Sequence, residues 1–442
     1  MLKRKKEEQP FKVTGEQSTF PFSIPFQQII EQRSWFKGRN FKELLEKIKY
    51  WEWKEDYPHV NHHIGLSVAS AFYGQHLKTP AEIYGHAQHL MRDKNIPNIT
   101  DNSGFTELFQ ATSGLTEAEA LETEKIVAKR LIERSAAQLN KKPSDIDLFI
   151  VATSVPSHQN LEDILARSAG IRRNAAKFLY VRACDSSGSA LYDVVSGKFD
   201  DSLKKRLRSN KPATITIFGF EDANRLSNNG GDPFSAQLFS TAASAMTFAY
   251  HPQSENTTFK LIVGEHSSVP DGAEALKVKK TYKNWPKKPN TFFAEHLQEP
   301  PNGEVILMDP KLTPVVFKKH GLRAVENVLQ KYMQKRGRSG SSLPGSVKKV
   351  IMHHPSATIF NHVIAGLTGN KGKARSKESG LGFDPKQFEW VINEGNAPSA
   401  IMPIAFGRQM NTLTPNDTIM VLTYGAGGSF TCGFYKLGRG FK

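Results

Sequence analysis

The chain has 442 residues, 38% hydrophobic and 23% charged, with two cysteines and a formal net charge of +16. That balance is one of a soluble globular protein with room for two or three domain-sized units. No window holds the roughly 18 uncharged apolar residues of a membrane span. The charged start MLKRKKEEQP lacks the apolar run of a secretory signal, and so few cysteines exclude a disulfide framework. A reducing, cytoplasmic setting is expected.

So basic a surface attracts anions: nucleic acid, anionic lipid, phosphorylated cofactors or an acidic carrier protein. The basic residues are dispersed in short clusters, Lys3 to Lys6, Lys277 to Lys280, Lys335 to Arg338 and Lys371 to Arg375. No long basic helix or aromatic-basic module accompanies them, so solvated faces and loops are expected and nucleic acid is not. Lys3 to Lys6 reads as a disordered tail rather than a localisation signal.

Residues 1–110 form an N-terminal region expected to be mostly helical, from the segments around Trp35, Phe41 to Trp53 and His62 to His76, with breaks at Pro58, Pro80 and Pro97. His59, His62, His63, His76, His86 and His89 cluster here. No carboxylate or cysteine completes a ligand set beside them, so no metal site is expected.

From Asp101 onward the same order of elements is written twice. The first unit, 111–250, opens with a helix from Glu117 to Leu139 whose apolar face holds Val127, Leu131, Ile132 and Ala136. A strand at Ile146 to Thr153 follows, then the helix LEDILARSAGI, a strand and turn at Cys184, a small-residue helix and the strand Ala213 to Phe220. The second unit, 303–442, repeats this with a helix at Leu322 to Lys335, the strand Val347 to His354 and the helix TIFNHVIAGL. FEWVINEGN (Phe388 to Asn396) reads as strand and turn, PSAIMPIAF as a helix, and Thr418 to Gly425 as the closing strand. Residues 251–302, with six prolines or tryptophans from Pro270 to Pro301, read as a loop-rich connector. Two pseudo-equivalent α/β halves would bring the Cys184 and Asn396 turns together near the centre of the molecule.

Cys184 ends an apolar run and starts a helix. The unpaired amides of a helix N-terminus favour a thiolate and make this thiol a candidate nucleophile; a buried structural cysteine is the alternative. Cys432, in the FTCG strand, is expected in the core.

Four segments carry a resemblance: IDLFIVATSVPSH, ACDSSGSAL, the pair MHHPSATIF and GNAPSA, and YGAGGSFTCG. In this order and on these elements the chain, over residues 100–442, resembles the thiolase-like condensing enzymes, and within them the ketoacyl-acyl carrier protein synthase III group. The resemblance implies a layered α-β-α-β-α thiolase-like fold with an irregular helical N-terminal region. It also implies a homodimer with no tightly bound cofactor and no metal, acting on acyl-coenzyme A or acyl carrier protein thioesters.

It assigns Cys184 as acyl acceptor, His353 and Asn396 as its partners, and the amides of Cys184 and Gly428 as the oxyanion hole. Strand alternation allows only one of His353 and His354 to face the site, and the motif register selects His353. The expected chemistry is acylation of Cys184 followed by decarboxylative Claisen condensation with a malonyl- or ketoacyl-type thioester, neutral His353 and Asn396 donating to the enolate oxygen.

The chain departs from the pattern at Asp185, whose carboxylate opposes a thiolate unless turned away or paired. It departs also at Ser240 to Met246, in place of a glycine-rich run, and at Thr358, where a carrier-binding arginine is usual. Other readings are acyl transfer from Cys184 to an alcohol or amine with His353 as base, and a non-catalytic thiolase-fold or basic binding protein. A cysteine peptidase is disfavoured by the lack of papain-type surroundings.

Overall fold

The computed structural model describes residues 23–31, 39–56, 59–90, 96–111, 115–154, 156–222, 233–268, 276–280, 304–308, 312–336, 343–369, 380–426 and 428–441. The Lys3 to Lys6 run, Trp35, Pro58, Arg338, most of the connector and Lys371 to Arg375 lie outside them.

The N-terminal region contributes strands β1 (Ile24–Pro25), β2 (Trp51–Glu55), β3 (His59–Asn61), β4 (Leu66–Leu77) and β5 (Leu108–Gln110). Between them lie helices α1 (Phe26–Glu31), α2 (Arg39–Lys47), α3 (Pro80–Leu90) and α4 (Thr100–Ser103). The first half continues with α5 (Glu117–Gln138), β6 (Leu148–Thr153), α6 (Leu161–Ala169), β7 (Ala176–Val181), α7 (Ser186–Val195), α8 (Asp200–Leu207), β8 (Ala213–Asp222), α9 (Pro233–Leu238) and β9 (Thr241–Tyr250). The second holds β10 (Phe259–Ser268), β11 (Leu276–Lys280), β12 (Glu304–Met308), α10 (Leu312–Arg336), α11 (Leu343–Ser346), β13 (Val347–Met352), α12 (Ala357–Thr368), α13 (Pro398–Gln409), β14 (Thr418–Gly425) and β15 (Ser429–Leu437).

The duplication is visible in the sheets. A nine-stranded sheet runs β1-β2-β4-β9-β8-β6-β7, with β3 and β5 also paired to β4; a second runs β10-β15-β14-β13. Strands β6 and β8 are parallel, β8 and β9 antiparallel, β9 and β4 antiparallel. Strands β13, β14, β15 and β10 repeat those senses in that order.

Helices α5 and α6 cover the outer face of the first sheet, α7 and α13 fill the space between sheets, and α10 and α12 cover the second. This is the layered α-β-α-β-α arrangement. The interior strands of the first sheet serve two cores: Leu148, Ile150 and Ala152 of β6 face the central one, Phe149 and Val151 the outer one. Helix α5 starts where the sequence expects it, at a capping box in which Thr116 and Glu119 satisfy each other's backbone amides.

Three expectations change. The His62 to His76 stretch is not a helix but largely β4, an interior strand of the first sheet. Its residues are buried on both faces, so no alternation marked it as a strand. The 251–302 stretch contains β10, which pairs along β15. Phe388 to Asn396, the counterpart of β7, joins no sheet; its main chain is held instead by the amides of Thr106 and Glu107 on Asn393 O and by a single bridge between Phe239 and Asn396.

Candidate active site

Cys184 lies in a single 3₁₀ turn (Ala183–Asp185) between β7 and α7, beneath the hairpin that joins β14 to β15. Ala183 adopts φ +49°, a left-handed conformation that costs a non-glycine residue on the order of 1 kcal/mol. The surroundings fix the turn. Arg182 N–H donates to Ser186 Oγ at 2.8 Å, and Ser399 Oγ at the start of α13 donates to Ala183 O at 3.0 Å. Helix α7 comes so close to β14 that a Cβ on Gly188 would lie 1.9 Å from Thr423 Oγ1.

His353 follows β13, and Asn396 precedes α13 on a turn clamped by Asn396 N–H to Leu238 O (2.7 Å) and Ser240 N–H to Asn396 O (2.8 Å). His353 Nδ1 is 3.1 Å from Tyr424 O, and its Nε2 is 2.9 Å from Asn396 Oδ1. Two residues beyond Tyr424, the Ala426 amide favours the charged form of the Cys184 sulfur. The end of β14 therefore joins the three predicted residues into one buried site.

His354 points the opposite way, with Nδ1 on Met352 O (2.7 Å) and its ring against Phe360 and Trp390. The alternation argument thus selects the same ring as the motif register. The amide of Gly428 is committed elsewhere, donating to Gly425 O at 3.2 Å across the hairpin turn. The backbone amides that oppose the rise of the Cys184 thiol are its own and that of Ala426, so Ala426 stands beside Gly428 as a candidate second oxyanion donor.

Electrostatics alter two further expectations. Burial pushes the Cys184 thiol well above its ordinary value, the charge of Glu221 and then Asp185 add to this, and the Cys184 and Ala426 amides only partly offset them. The helix terminus does not win, and the resting sulfur is a thiol. Burial lowers His353 to about 4, against the opposing bonds to Asn396 and Tyr424, so the ring is neutral at neutral pH. A carbonyl only accepts, so Nδ1 carries the proton toward Tyr424 and Nε2 is a lone pair. The Asn396 amide then turns its Nδ2–H toward the ring, a half-rotation that leaves its shape unchanged. Neutral His353 is an acceptor at Nε2, not the donor expected.

Asp185 is turned away and paired. Its Oδ1 accepts from Thr423 Oγ1 and its Oδ2 from Ser189 Oγ, both at 2.7 Å, with Arg182 Nε 3.7 Å away. Burial still raises it to about 6. The stronger influence on the thiol comes from Glu221, which sequence reasoning missed. It lies near the end of β8, 1% exposed, accepting from Ser154 N–H (3.0 Å) with the Ser399 hydroxyl oxygen 3.1 Å away. Burial raises it to about 7. Only its place in GFED at a strand end could have signalled it.

A cavity of about 180 Å³ opens beside the site, lined by Ile99, Phe234, Leu238, Ser356 and Thr358 among others. Leu238 carries the carbonyl that holds Asn396, and Ser356 caps α12 three residues after His353. Thr358 spends its hydroxyl on Asn102 O at 2.9 Å. Cys432 is fully buried in β15, as expected of a core residue. Among the described residues no group of three His, Cys, Asp or Glu is placed to hold a metal ion, and no helix is long and apolar enough to cross a membrane. His76 instead lies between Glu52 (2.8 Å) and Glu107 (2.5 Å).

The repeated sheets define the fold, a thiolase-like one shared with solved 3-oxoacyl-(acyl carrier protein) synthase III and type III polyketide synthase structures. Among solved structures it is similar to 3-oxoacyl-(acyl carrier protein) synthase III from Pseudomonas aeruginosa (TM-score 0.59, 14% identity, 85% of this chain and 98% of that one). It is similar also to OleA from Xanthomonas campestris (0.57, 13%, 84% and 97%) and to a fungal type III polyketide synthase (0.59, 18%, 85% and 98%). No protein-family profile and no curated protein sequence matches the chain.

Proposed function

We propose that the protein is an acyltransferase that forms an acyl-enzyme at Cys184 and uses it in a decarboxylative Claisen condensation with a malonyl-type thioester, whose free carboxylate is the group lost. The observation that carries this reading is the buried His353–Asn396 pair, held against Tyr424 O near the end of β14, the strand that runs on to the Ala426 amide favouring a charged Cys184 sulfur. The Asn396 amide releases the Nε2 lone pair of His353, the thiol proton passes to it as sulfur attacks the donor thioester, and the departing thiolate takes the proton back. The tetrahedral oxyanion is held by the amides of Cys184 and Ala426, each donor worth roughly 3 kcal/mol.

The second thioester then loses carbon dioxide, which leaves an enolate without any base. Asn396, which cannot act as a base, donates to its oxygen through the N–H not used on His353. The enolate carbon attacks the acyl carbon, and Cys184 departs as thiolate and is reprotonated.

The lone pair on Nε2 favours a second reading, acyl transfer from Cys184 to an alcohol or amine whose proton His353 accepts. Intact-mass analysis with acyl-coenzyme A donors, with Cys184→Ala as control, tests both. Malonyl decarboxylation that disappears in Asn396→Ala supports condensation; its absence in the native protein, with transfer to an added alcohol, supports the second.

The substrates in this reading are coenzyme A or acidic carrier thioesters, drawn by the net charge of +16 and entering through the apolar cavity, with no bound cofactor. The setting is the cytoplasm. A homodimer fits β7, an edge strand with Val181 49% exposed, since an apolar edge is a template for pairing with a second copy.

A further inference from the structure

Behind Asn396 lies a buried set of charges that none of this chemistry uses. Arg408, near the end of α13, is 6% exposed in its side chain, Asp56 1%, Glu394 none and Lys54 10%. All five guanidinium N–H donors are spent. Nε donates to Asp56 Oδ2 (3.1 Å) and Nη2 to Asp56 Oδ1 (2.7 Å) and Glu394 Oε1 (3.0 Å). Nη1 donates to Glu394 Oε2 (2.9 Å) and to the main-chain oxygen of Val391 (2.7 Å). Lys54 adds a 3.0 Å contact to Glu394 Oε1 and a 2.6 Å contact to Glu107.

Arg408 and Lys54 balance Asp56 and Glu394 in charge. An ion lattice this dry is costly unless each member is satisfied, and its geometry is correspondingly rigid. Its reach is specific: Arg408 sits on the helix that begins two residues after Asn396 and ties back to Val391 and Glu394, on the segment that ends in Asn396. The segment, lacking sheet hydrogen bonds, is closed into a ring through that guanidinium, and the ring is anchored to β2 through Lys54 and to the residue after it, Asp56.

We propose that Arg408, with Glu394, Asp56 and Lys54, is a positioning device that sets the Asn396 amide against His353, and that β2 and the segment after it thereby complete the site. The inference rests on the proposed function only in treating Asn396 as a working group; the placement itself is measurable without substrate. Lysine offers three donors from a point and cannot reproduce the five-donor fork, so Arg408→Lys keeps the charge and loses the ring.

The experiment is nitrogen-15 NMR of histidine-labelled protein, native, Arg408→Lys and Asn396→Ala, with Val328→Ala in α10 as a destabilised control remote from the ring. The His353 Nε2 signal moves in Arg408→Lys in the same direction as in Asn396→Ala, because both withdraw the amide donor, and stays in place in Val328→Ala. An Nε2 signal in Arg408→Lys equal to the native one, or moved equally in Val328→Ala, overturns the proposal.

Malonyl-thioester decarboxylation gives the functional counterpart. It falls about tenfold to a hundredfold in Arg408→Lys while Cys184 acylation is retained, and the Arg408→Lys, Asn396→Ala double variant is no slower than Asn396→Ala alone. Additive losses overturn the positioning role. A signal moved in Arg408→Lys, together with a native protein that neither acylates nor decarboxylates, leaves the positioning in place and overturns the proposed function.

Discussion

At Cys184 two backbone amides and two carboxylates act on one sulfur in opposite senses, and burial decides for the thiol. A nucleophile in that state needs a base, and the neutral His353 ring, fixed by Tyr424 O, presents a lone pair. Glu221 sets how hard the proton is to remove. Its folded value near 7 lies above the unfolded value near 4.5, so the folded state binds the extra proton between them and stability falls as pH rises through that window. Glu221→Gln removes this penalty: thermal melts of variant and native protein converge near pH 5, and the variant melts higher at pH 8. Alkylation of Cys184 by iodoacetamide is faster in the variant at pH 8. Equal melts at pH 8 with an unchanged alkylation profile contradict the assignment.

The elements around the site depend on close approach. Gly188 lets α7 lie against β14, where Thr423 both crowds the helix and holds Asp185. Gly188→Ala forces those elements apart and destabilises the protein by about 1–3 kcal/mol, read by urea denaturation, with loss of Cys184 reactivity. The helices at Glu117 and Leu161 and the strands at Ile146 and Ala213 were legible because each is one apolar run with the period of its element. Cys184 was legible as a candidate because it stands at a strand-to-helix boundary marked by small residues, whereas His353 and Asn396 were reached through the resemblance of the segments that hold them.

Glu221 and Arg408 were not legible. Their partners lie 67 residues away at Ser154 and 352 away at Asp56, and neither has a local pattern. Phe388 to Asn396 misled because a buried apolar segment held by side chains and isolated main-chain contacts has the composition of a strand without its ladder.

Over the whole molecule, the N-terminal region is structural rather than appended. Strand β4 lies between β2 and β9 and contributes Leu66, Val68 and Phe72 to the central core. Its reading failed because both faces are covered and Ala69, Ser70 and Ala71 carry little hydrophobic signal. Phe72→Ala, in a segment outside the resemblance that revealed the site, costs about 3–5 kcal/mol in chemical denaturation. A cost near zero would mean that β4 is dispensable to the core.

Two sheets of matching topology converge at their strand ends on Cys184, His353 and Asn396, and the account stands on the sulfur being the group that carries the acyl chain. Intact-mass analysis of the native protein and Cys184→Ala, after incubation with a series of acyl-coenzyme A donors, measures that directly. The account predicts a single acyl adduct on the native protein, absent from Cys184→Ala and retained in Asn396→Ala. No adduct with any donor, or an adduct that persists in Cys184→Ala, would contradict it.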